Sequence, residues 1–252
     1  DIDMEHLEEL LESSDGPCMV SLMMVNNEIG NLLDYPKVSD LCREHGALFH
    51  SDTVQGIGHV EFNLQNTPID FIAASAHKFN GPKGVGFAIV PKGRHIEPLI
   101  HGGEQEMGTR AGTENTHSIA GMGKALQMAL DNYETDRDYV GGLKQYFIEQ
   151  LRNNFNEIEF NGRSADAERS AFHILSVRFP KDVPMLLFNL DLNGIAVSGG
   201  SACQSGSNKG SHVLTAILSE KESEKTSVRF SFSKHNTHKE IDRVIEVLKD
   251  LI

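Results

Sequence analysis

The sequence predicts an α/β fold, a mostly parallel sheet layered with helices, followed by a smaller α+β domain. Three observations carry this expectation. Short apolar runs alternate with helical periodicity through the first third of the chain, a long helical stretch spans about residues 116 to 155, and after it strands and helices follow one another at shorter spacing. A chain of 252 residues, 39% of them hydrophobic, can hold one large or two modest domains with a sizeable core. The change of pattern puts the boundary near residue 134, with 1–134 as one domain and 135–252 as the second.

Leu7, Leu10 and Leu11 recur at helical spacing over residues 4 to 13, and Asp15-Gly16-Pro17 stops the pattern before CMVSLMMV, a buried strand. A second helix runs from about Pro36 to His45 and closes on Gly46. ALFHSD then makes a strand ending at Asp52, DFIAAS a third strand ending at Ser75, and GVGFAIV a fourth after the GPKG turn. The helical stretch from about Thr116 to Phe155 is expected to break once or twice. Beyond it the pattern reads strand HILSVRF, helix VPMLLFNLDL, strand IAV, helix VLTAIL, strand SVRFSF and a final helix. That last helix opens with the capping box Thr237 to Glu240 and lines Ile241, Val244, Ile245, Leu248 and Ile252 along one face, so it packs into a core.

Composition excludes several classes of function. With 36 acidic against 23 basic residues, the formal charge of −13 repels a phosphate backbone, which argues against nucleic-acid binding. The apolar runs Cys18 to Val25 and Phe71 to Ala74 fall far short of the roughly 20 residues needed to cross a bilayer, and no basic-then-apolar leader opens the chain. Cysteines at 18, 42 and 203 form neither a disulfide framework nor a CxxC pair, as expected in a reducing compartment. A soluble, cytoplasmic protein is the expectation, and the opening DIDMEHLEELLES, without Met, reads as part of a longer chain. GIGHVE lacks a full dinucleotide fingerprint, GPKGVG lacks the Walker spacing, no HExxH occurs among the twelve histidines, and Ser201 does not complete GxSxG. No metal site is expected.

In an α/β layer, ligands gather at the carboxyl ends of strands. Asn27, Asp52 and the stretch Ser75 to Lys78 all fall just after such ends. A covalent mechanism based on an amine needs a lysine that forms a Schiff base, a carboxylate that keeps a pyridine nitrogen protonated, and donors for a phosphate. Lys78, Asp52, and Ser75 with His77 supply those residue types, and Gln55 lies three residues past Asp52, in reach of a ring oxygen. Each also has a plainer reading. Lys78 before Asn80-Gly81-Pro82 is also an ordinary loop lysine, His77 a structural histidine, and Asp52 a helix N-cap.

The order of the motifs separates these readings. VNNEIG at 25 to 30, HSDTVQ at 50 to 55, SAHKFNGPKGVG from 75, GGEQEMGTRAGTEN from 102, SGGSACQSGS from 198 and SVRFSF from 227 resemble, in that order, the cysteine desulfurases. These form part of the class V aminotransferase branch of the fold-type I pyridoxal-phosphate enzymes. The resemblance implies that residues 1–134 are the C-terminal part of the large cofactor-binding domain and 135–252 the small C-terminal domain carrying the cysteine loop. It makes Lys78 the lysine bonded to pyridoxal phosphate and later the base for the substrate proton. Asp52 then faces the pyridine nitrogen, Gln55 the ring hydroxyl, and Ser75 and His77 the phosphate. Thr113 corresponds to a residue that reaches the phosphate in the partner subunit, which implies a homodimer. Asn27 and Arg229 correspond to the pair that binds the substrate carboxylate, a task suited to the planar fork of a guanidinium.

Cys203 lies in VSGGSACQSGSNKGS, a Gly/Ser run of low apolar content that reads as a loop. Cys42 and Cys18, set among apolar residues, read as small core hydrophobes. The resemblance implies that Cys203 attacks the sulfur of bound L-cysteine, leaves L-alanine, and carries a persulfide to an acceptor. The extended surroundings look like the longer-loop branch of the family, which delivers sulfur to an iron–sulfur scaffold protein. The family's first third, with its early strands, a phosphate-binding turn and a histidine that stacks on the cofactor ring, has no counterpart here. Two local departures stand in GGEQEMGTR, where Glu104 replaces a usual Gly and Met107 a usual Arg. The alternatives are an inactive fragment or partner-binding module, and a related lyase acting on selenocysteine or cysteine sulfinate.

Overall fold

Strands β1 (Met19–Ser21), β2 (Leu48–Asp52), β3 (Phe71–Ser75) and β4 (Gly86–Ile89) form one sheet in that order. The structure, a computed structural model, describes residues 1–94, 96–199 and 211–252. β1, β2 and β3 run parallel, with Ser21 opposite His50 and Asp52 opposite Ala73. β4 is antiparallel to β3 because only a 3-10 turn and GPKG join them, whereas a parallel return needs a crossover of a dozen or more residues. Paired residues face the same side of a sheet. Val20, Phe49, Ser51, Ile72 and Ala74 are therefore the buried side, and His50, Asp52, Ala73 and Ser75 stand on the other.

Helix α1 (Met4–Glu12) starts at Asp3, whose side chain accepts from the His6 amide. Helix α2 (Tyr35–Glu44) starts at Asp34 in the same way, with Pro36 in its first turn, and buries Val38, Leu41 and Cys42. The long helical stretch breaks once, at Asn132, into α3 (Thr116–Asp131) and α4 (Tyr133–Asn154).

That break is also where the chain divides. One compact unit comprises Ile2–Met24 and Asp34–Asn132, and the other comprises Asp1, Val25–Leu33 and Tyr133–Ile252. The sequence places the boundary two residues later, and it leaves Val25–Leu33 in the first domain. The backbone explains the difference. Leu32 donates to the Arg169 carbonyl, Ala171 donates to the Gly30 carbonyl, and Asn31 bridges Ser170, so the hydrogen bonds of this segment are satisfied within the second unit. Gly30 adopts a φ of 71°, and a Cβ there would lie 3.2 Å from the Ile174 side chain, so the turn fits closely on a strand of that unit.

In the second unit β5 (Glu159–Phe160), β6 (Ile174–Arg178) and β7 (Ser227–Ser231) form an antiparallel sheet. Leu143, Phe147 and Leu151 of α4, Leu175 and Val177 of β6, Val228 and Phe230 of β7, and Ile241, Ile245 and Leu248 of α8 (His238–Leu251) make its core. Each such side chain, once buried, contributes roughly 1.5–3 kcal/mol. The capping box forms, with Glu240 accepting from the Thr237 amide and Thr237 from the Glu240 amide. Helix α5 (Leu186–Leu192) begins later than VPMLLFNLDL predicts, because Met185 takes a left-handed conformation. α6 is His212–Ile217, and a short α7 (Glu220–Ser223), capped by Ser219, follows. Among the described residues the expected strand IAV does not form: after the left-handed Gly194, Ile195 bonds back to Leu190, and this segment pairs with β7 only as an isolated bridge at Ser198. CMVSLMMV keeps regular strand geometry over three residues, since the chain beyond Met24 turns into the other unit. Among the described residues, no helix is long and apolar enough to cross a membrane.

Candidate functional site

The parallel ladder brings two strand ends together. Asp52 closes β2 and pairs with Ala73, two residues before Ser75 closes β3. Asp52 and Ser75 consequently share the less buried face of the sheet, at the carboxyl edge where α/β layers bind ligands. The Asp52 carboxylate is exposed, and its Oδ1 accepts from the Val54 amide at 2.9 Å, which starts the turn after β2. In that turn Gly56 and Ile57 both donate to the Thr53 carbonyl, and half-buried Gln55 lies between Asp52 and these residues. Thr53, fully buried, donates through both its amide and its hydroxyl to the Ala73 carbonyl. The turn is thereby fixed to β3.

Ser75 leads into a 3-10 turn, Ala76–Phe79, that ends at Asn80 in the left-handed region. Ala76 and Phe79 are buried, so the two residues between them, His77 and Lys78, face outward. A Cβ at Gly81 would lie 2.9 Å from the Ala76 Cβ, and one at Gly86 would overlap the Ala74 carbonyl oxygen. Both positions need glycine for the chain to return so tightly on the turn that carries Lys78. Among the described residues, Ser75, His77, Lys78 and Gln55 have no side-chain hydrogen bond or ion pair. An amine, an imidazole, a hydroxyl, an amide and a carboxylate with one oxygen to spare thus lie on two adjacent strand ends. This donor set suits an anionic, ring-bearing group that also needs a nitrogen partner, as pyridoxal phosphate does.

Thr113 is exposed, two residues before Asn115 caps α3, and the chain next to it is held by the Gly112 amide donating to Gln105 Oε1 at 3.1 Å. Among the described residues, no hydrogen bond or ion pair joins it to Lys78 or Asp52. Met107, in the same segment, is 98% exposed with a φ of 54°.

Asn27 and Arg229 belong to the other unit, and there they meet. Arg229 Nη1 donates to the Asn27 carbonyl at 2.7 Å. The backbone of Arg229 exchanges both bonds with Ser198, at 2.7 and 3.2 Å. The turn that carries Asn27 is built by Asn26, whose Oδ1 accepts from the amides of Glu28 and Ile29. Cys203 lies outside the described residues. Among the described residues, no cluster of three or more His, Cys, Asp or Glu is arranged to hold a metal ion.

Sequence reasoning passes over Glu28. Its side chain is 2% exposed, it accepts from the Ser211 hydroxyl, and His212 Nδ1 lies 3.9 Å away. A carboxylate between buried Val25 and Ile29 in VNNEIG is the signal that would have found it.

The family description "Aminotransferase class-V" matches residues 1–244. The cysteine desulfurase IscS of Clostridium botulinum is 40% identical over 239 residues, which are 95% of this chain and 60% of that protein. The putative cysteine desulfurase IscS 1 of Bacillus subtilis is 38% identical over 240 residues, 94% of this chain and 62% of that protein. The crystal structure of a NifS-like protein from Rickettsia africae superposes with a TM-score of 0.89 at 32% identity, over 99% of this chain and 66% of that one. The chain spans about 60% of the length of these curated relatives.

Proposed function

Because this chain belongs to the aminotransferase class-V family, we propose that it is part of a pyridoxal-phosphate-dependent cysteine desulfurase, which converts L-cysteine to L-alanine with a persulfide on Cys203. The observation that carries this reading is the unpartnered Lys78 amine on the turn after β3, beside Ser75 and His77 and next to the strand that ends in Asp52. Names of the relatives support the same chemistry.

Pyridoxal phosphate, when bound, supplies an electron sink that acidifies the bond at the α-carbon of an amino acid. Asp52 is suited to hold the proton on the ring nitrogen, since a carboxylate stabilises the charged form by attraction and hydrogen bonding. Gln55 would hold the ring hydroxyl, and Ser75 and His77 the phosphate. Lys78 Nζ takes the α-proton of the substrate and returns a proton later. Arg229 grips the substrate carboxylate with Asn27 and fixes its orientation. Cys203 Sγ takes the γ-sulfur of the substrate, leaves L-alanine, and passes the sulfur to an acceptor protein, for which an iron–sulfur cluster scaffold is the proposed class.

A homodimer is proposed from the correspondence of Thr113, with its exposed segment the surface that a partner would cover. The cytoplasm is the proposed compartment, and Cys18 and Cys42 are free thiols, in keeping with reducing surroundings.

The test adds pyridoxal phosphate to the protein, records visible absorbance with Lys78→Ala as control, and then measures sulfide released from L-cysteine under reducing conditions. A Lys78-dependent band and sulfide release that disappears in Cys203→Ser are expected. A band without any sulfide, but with release from selenocysteine or cysteine sulfinate, would replace the substrate. Failure of Lys78→Ala to alter the band would sink the assignment of Lys78.

A further inference from the structure

We propose that Glu28 is a positioning residue whose buried carboxylate ties Ser211, and with it the start of α6, to the turn that holds Arg229. The proposal rests on the desulfurase reading for its consequence, because Cys203 lies between Ser198 and Ser211 in the sequence.

Burying a carboxylate is unfavourable unless its charge is paired or well hydrogen-bonded. Glu28 is nevertheless 2% exposed, and no lysine or arginine among the described residues pairs with it. Its neighbours are the Ser211 hydroxyl, which donates to Oε2, and the largely exposed His212, with Nδ1 3.9 Å from Oε1. Stability alone gives a weak reason for such a group, since an apolar residue would fill a buried site without the desolvation penalty. The bond to Ser211 gives a specific one.

Ser211 has a single hydroxyl proton and lone pairs to spare. Its proton goes to Glu28, and the same oxygen accepts from the Leu214 amide at 3.0 Å as the N-cap of α6. Glu28 thus orients the atom that starts the helix. Ser211 also accepts from the Thr215 hydroxyl through its carbonyl, which adds to the definition of this corner.

The other stem meets the same turn. Ser198 exchanges both backbone bonds with Arg229, and Arg229 Nη1 donates to the carbonyl of Asn27, the residue before Glu28. The turn is rigid because the Asn26 side chain binds two successive amides and Gly30 donates to the Asn26 carbonyl at 2.9 Å. The turn therefore holds Ser211 through Glu28 and accepts from the Arg229 side chain through Asn27, while Ser198 pairs with the Arg229 backbone. Cys203 precedes Ser211 by eight residues in the sequence, and a step that depends on the approach of its thiol is expected to slow when the start of α6 is released from Glu28.

The experiment compares the wild-type protein, loaded with pyridoxal phosphate, with Glu28→Ala, Ser211→Ala, the double variant and the conservative Glu28→Gln. It reads persulfide on Cys203 by mass spectrometry, kcat and KM for L-cysteine, and hydrogen exchange at the Leu214 amide, which does not depend on activity. Glu28→Ala is expected to lower kcat about tenfold with KM within about twofold, the loss of one charge-assisted hydrogen bond. Leu214 exchange should accelerate by about the same factor, the double variant should be no slower than Ser211→Ala, and Glu28→Gln, whose amide oxygen still accepts, should stay within about twofold of wild type. Unchanged Leu214 exchange in Glu28→Ala overturns the proposal, and so do additive losses in the double variant. A raised KM at full kcat overturns it as well, because Glu28 would then act on the carboxylate site through Asn27. If Glu28→Ala fails to fold, comparison of Ser211→Ala with Glu28→Gln carries the same decision. Should the wild type form no persulfide, the desulfurase reading falls by itself, and Leu214 exchange in the variants still decides whether the anchor exists.

Discussion

Arg229 donates from Nη1 to the carbonyl of Asn27 at 2.7 Å, joining residues 202 positions apart in the chain. The contact exists because the segment Val25–Leu33 leaves the parallel-sheet unit and completes its backbone hydrogen bonds beside β6 and the loop before it. A guanidinium carries several donors in a planar fork, the geometry that suits the substrate-carboxylate role proposed for Arg229.

Arg229→Lys tests that role. The ammonium keeps the charge but loses the planar fork, so about a tenfold to hundredfold rise in KM for L-cysteine is expected, with the Lys78-dependent absorbance intact. Steady-state kinetics at fixed pyridoxal phosphate measure both. A lysine variant with wild-type KM would remove Arg229 from substrate binding.

Gly86→Ala tests the turn that carries Lys78. A Cβ at Gly86 would overlap the Ala74 carbonyl oxygen, a backbone atom that cannot swing aside as a side-chain tip can. The expected loss is about 2 kcal/mol or more, seen as a fall in Tm of about 5 °C, together with weaker cofactor absorbance. A variant that melts with the wild type would show that β3 and β4 yield at this point without cost.

The strand ends that present Asp52 and Ser75 were legible because β2 and β3 are short apolar runs closed by polar residues, and that local pattern survives in the fold. α2 and α8 were legible through Asp34, Pro36 and the Thr237 to Glu240 capping box, all of which act within a few residues. What could not be read is non-local. Val25 and Met24 look alike in CMVSLMMV, yet their backbones bond in different units, because the choice depends on partners near residues 169 to 171. IAV has strand composition, but only Ser198 finds a partner on β7, while Ile195 folds back on Leu190. Glu28 carries no local signal of its partner, because Ser211 is 183 residues away.

Cys42 should be chemically silent in the native protein. Burial first, then the nearby Asp70 carboxylate and Cys18, raise its thiol to about 11. Only about one molecule in a thousand carries the thiolate at pH 8, and the thiolate is the reactive form. Iodoacetamide followed by peptide mapping should leave Cys42 unmodified until denaturant is added. Labelling at the same rate with and without denaturant would contradict both the burial and the raised pKa.

Lys144 gives the second unit a stability that rises in alkali. Its amine is 1% exposed on α4 and donates to the Ser170 hydroxyl at 2.7 Å and the Ala171 carbonyl at 2.9 Å, neither of them a counter-ion. Burial lowers its pKa from 10.5 to about 8, with Asp166 acting weakly in the opposite sense. Below pH 8 the lysine is protonated in both folded and unfolded chains, so the full cost of burying the charge is present. Between about 8 and 10.5 the unfolded chain holds a proton that the folded one has released, and stability therefore increases with pH across that window. From pH 7.5 to 9.5 the gain is about 2 kcal/mol, before the contributions of other titrating groups. Urea unfolding of wild type and Lys144→Met at both pH values isolates it, because the variant keeps every other titration. The wild type should gain about 2 kcal/mol relative to Lys144→Met over this interval. Parallel pH profiles for the two proteins would mean that Lys144 titrates in the fold as it does in water, and that its place between α4 and the Ser170 loop imposes no desolvation.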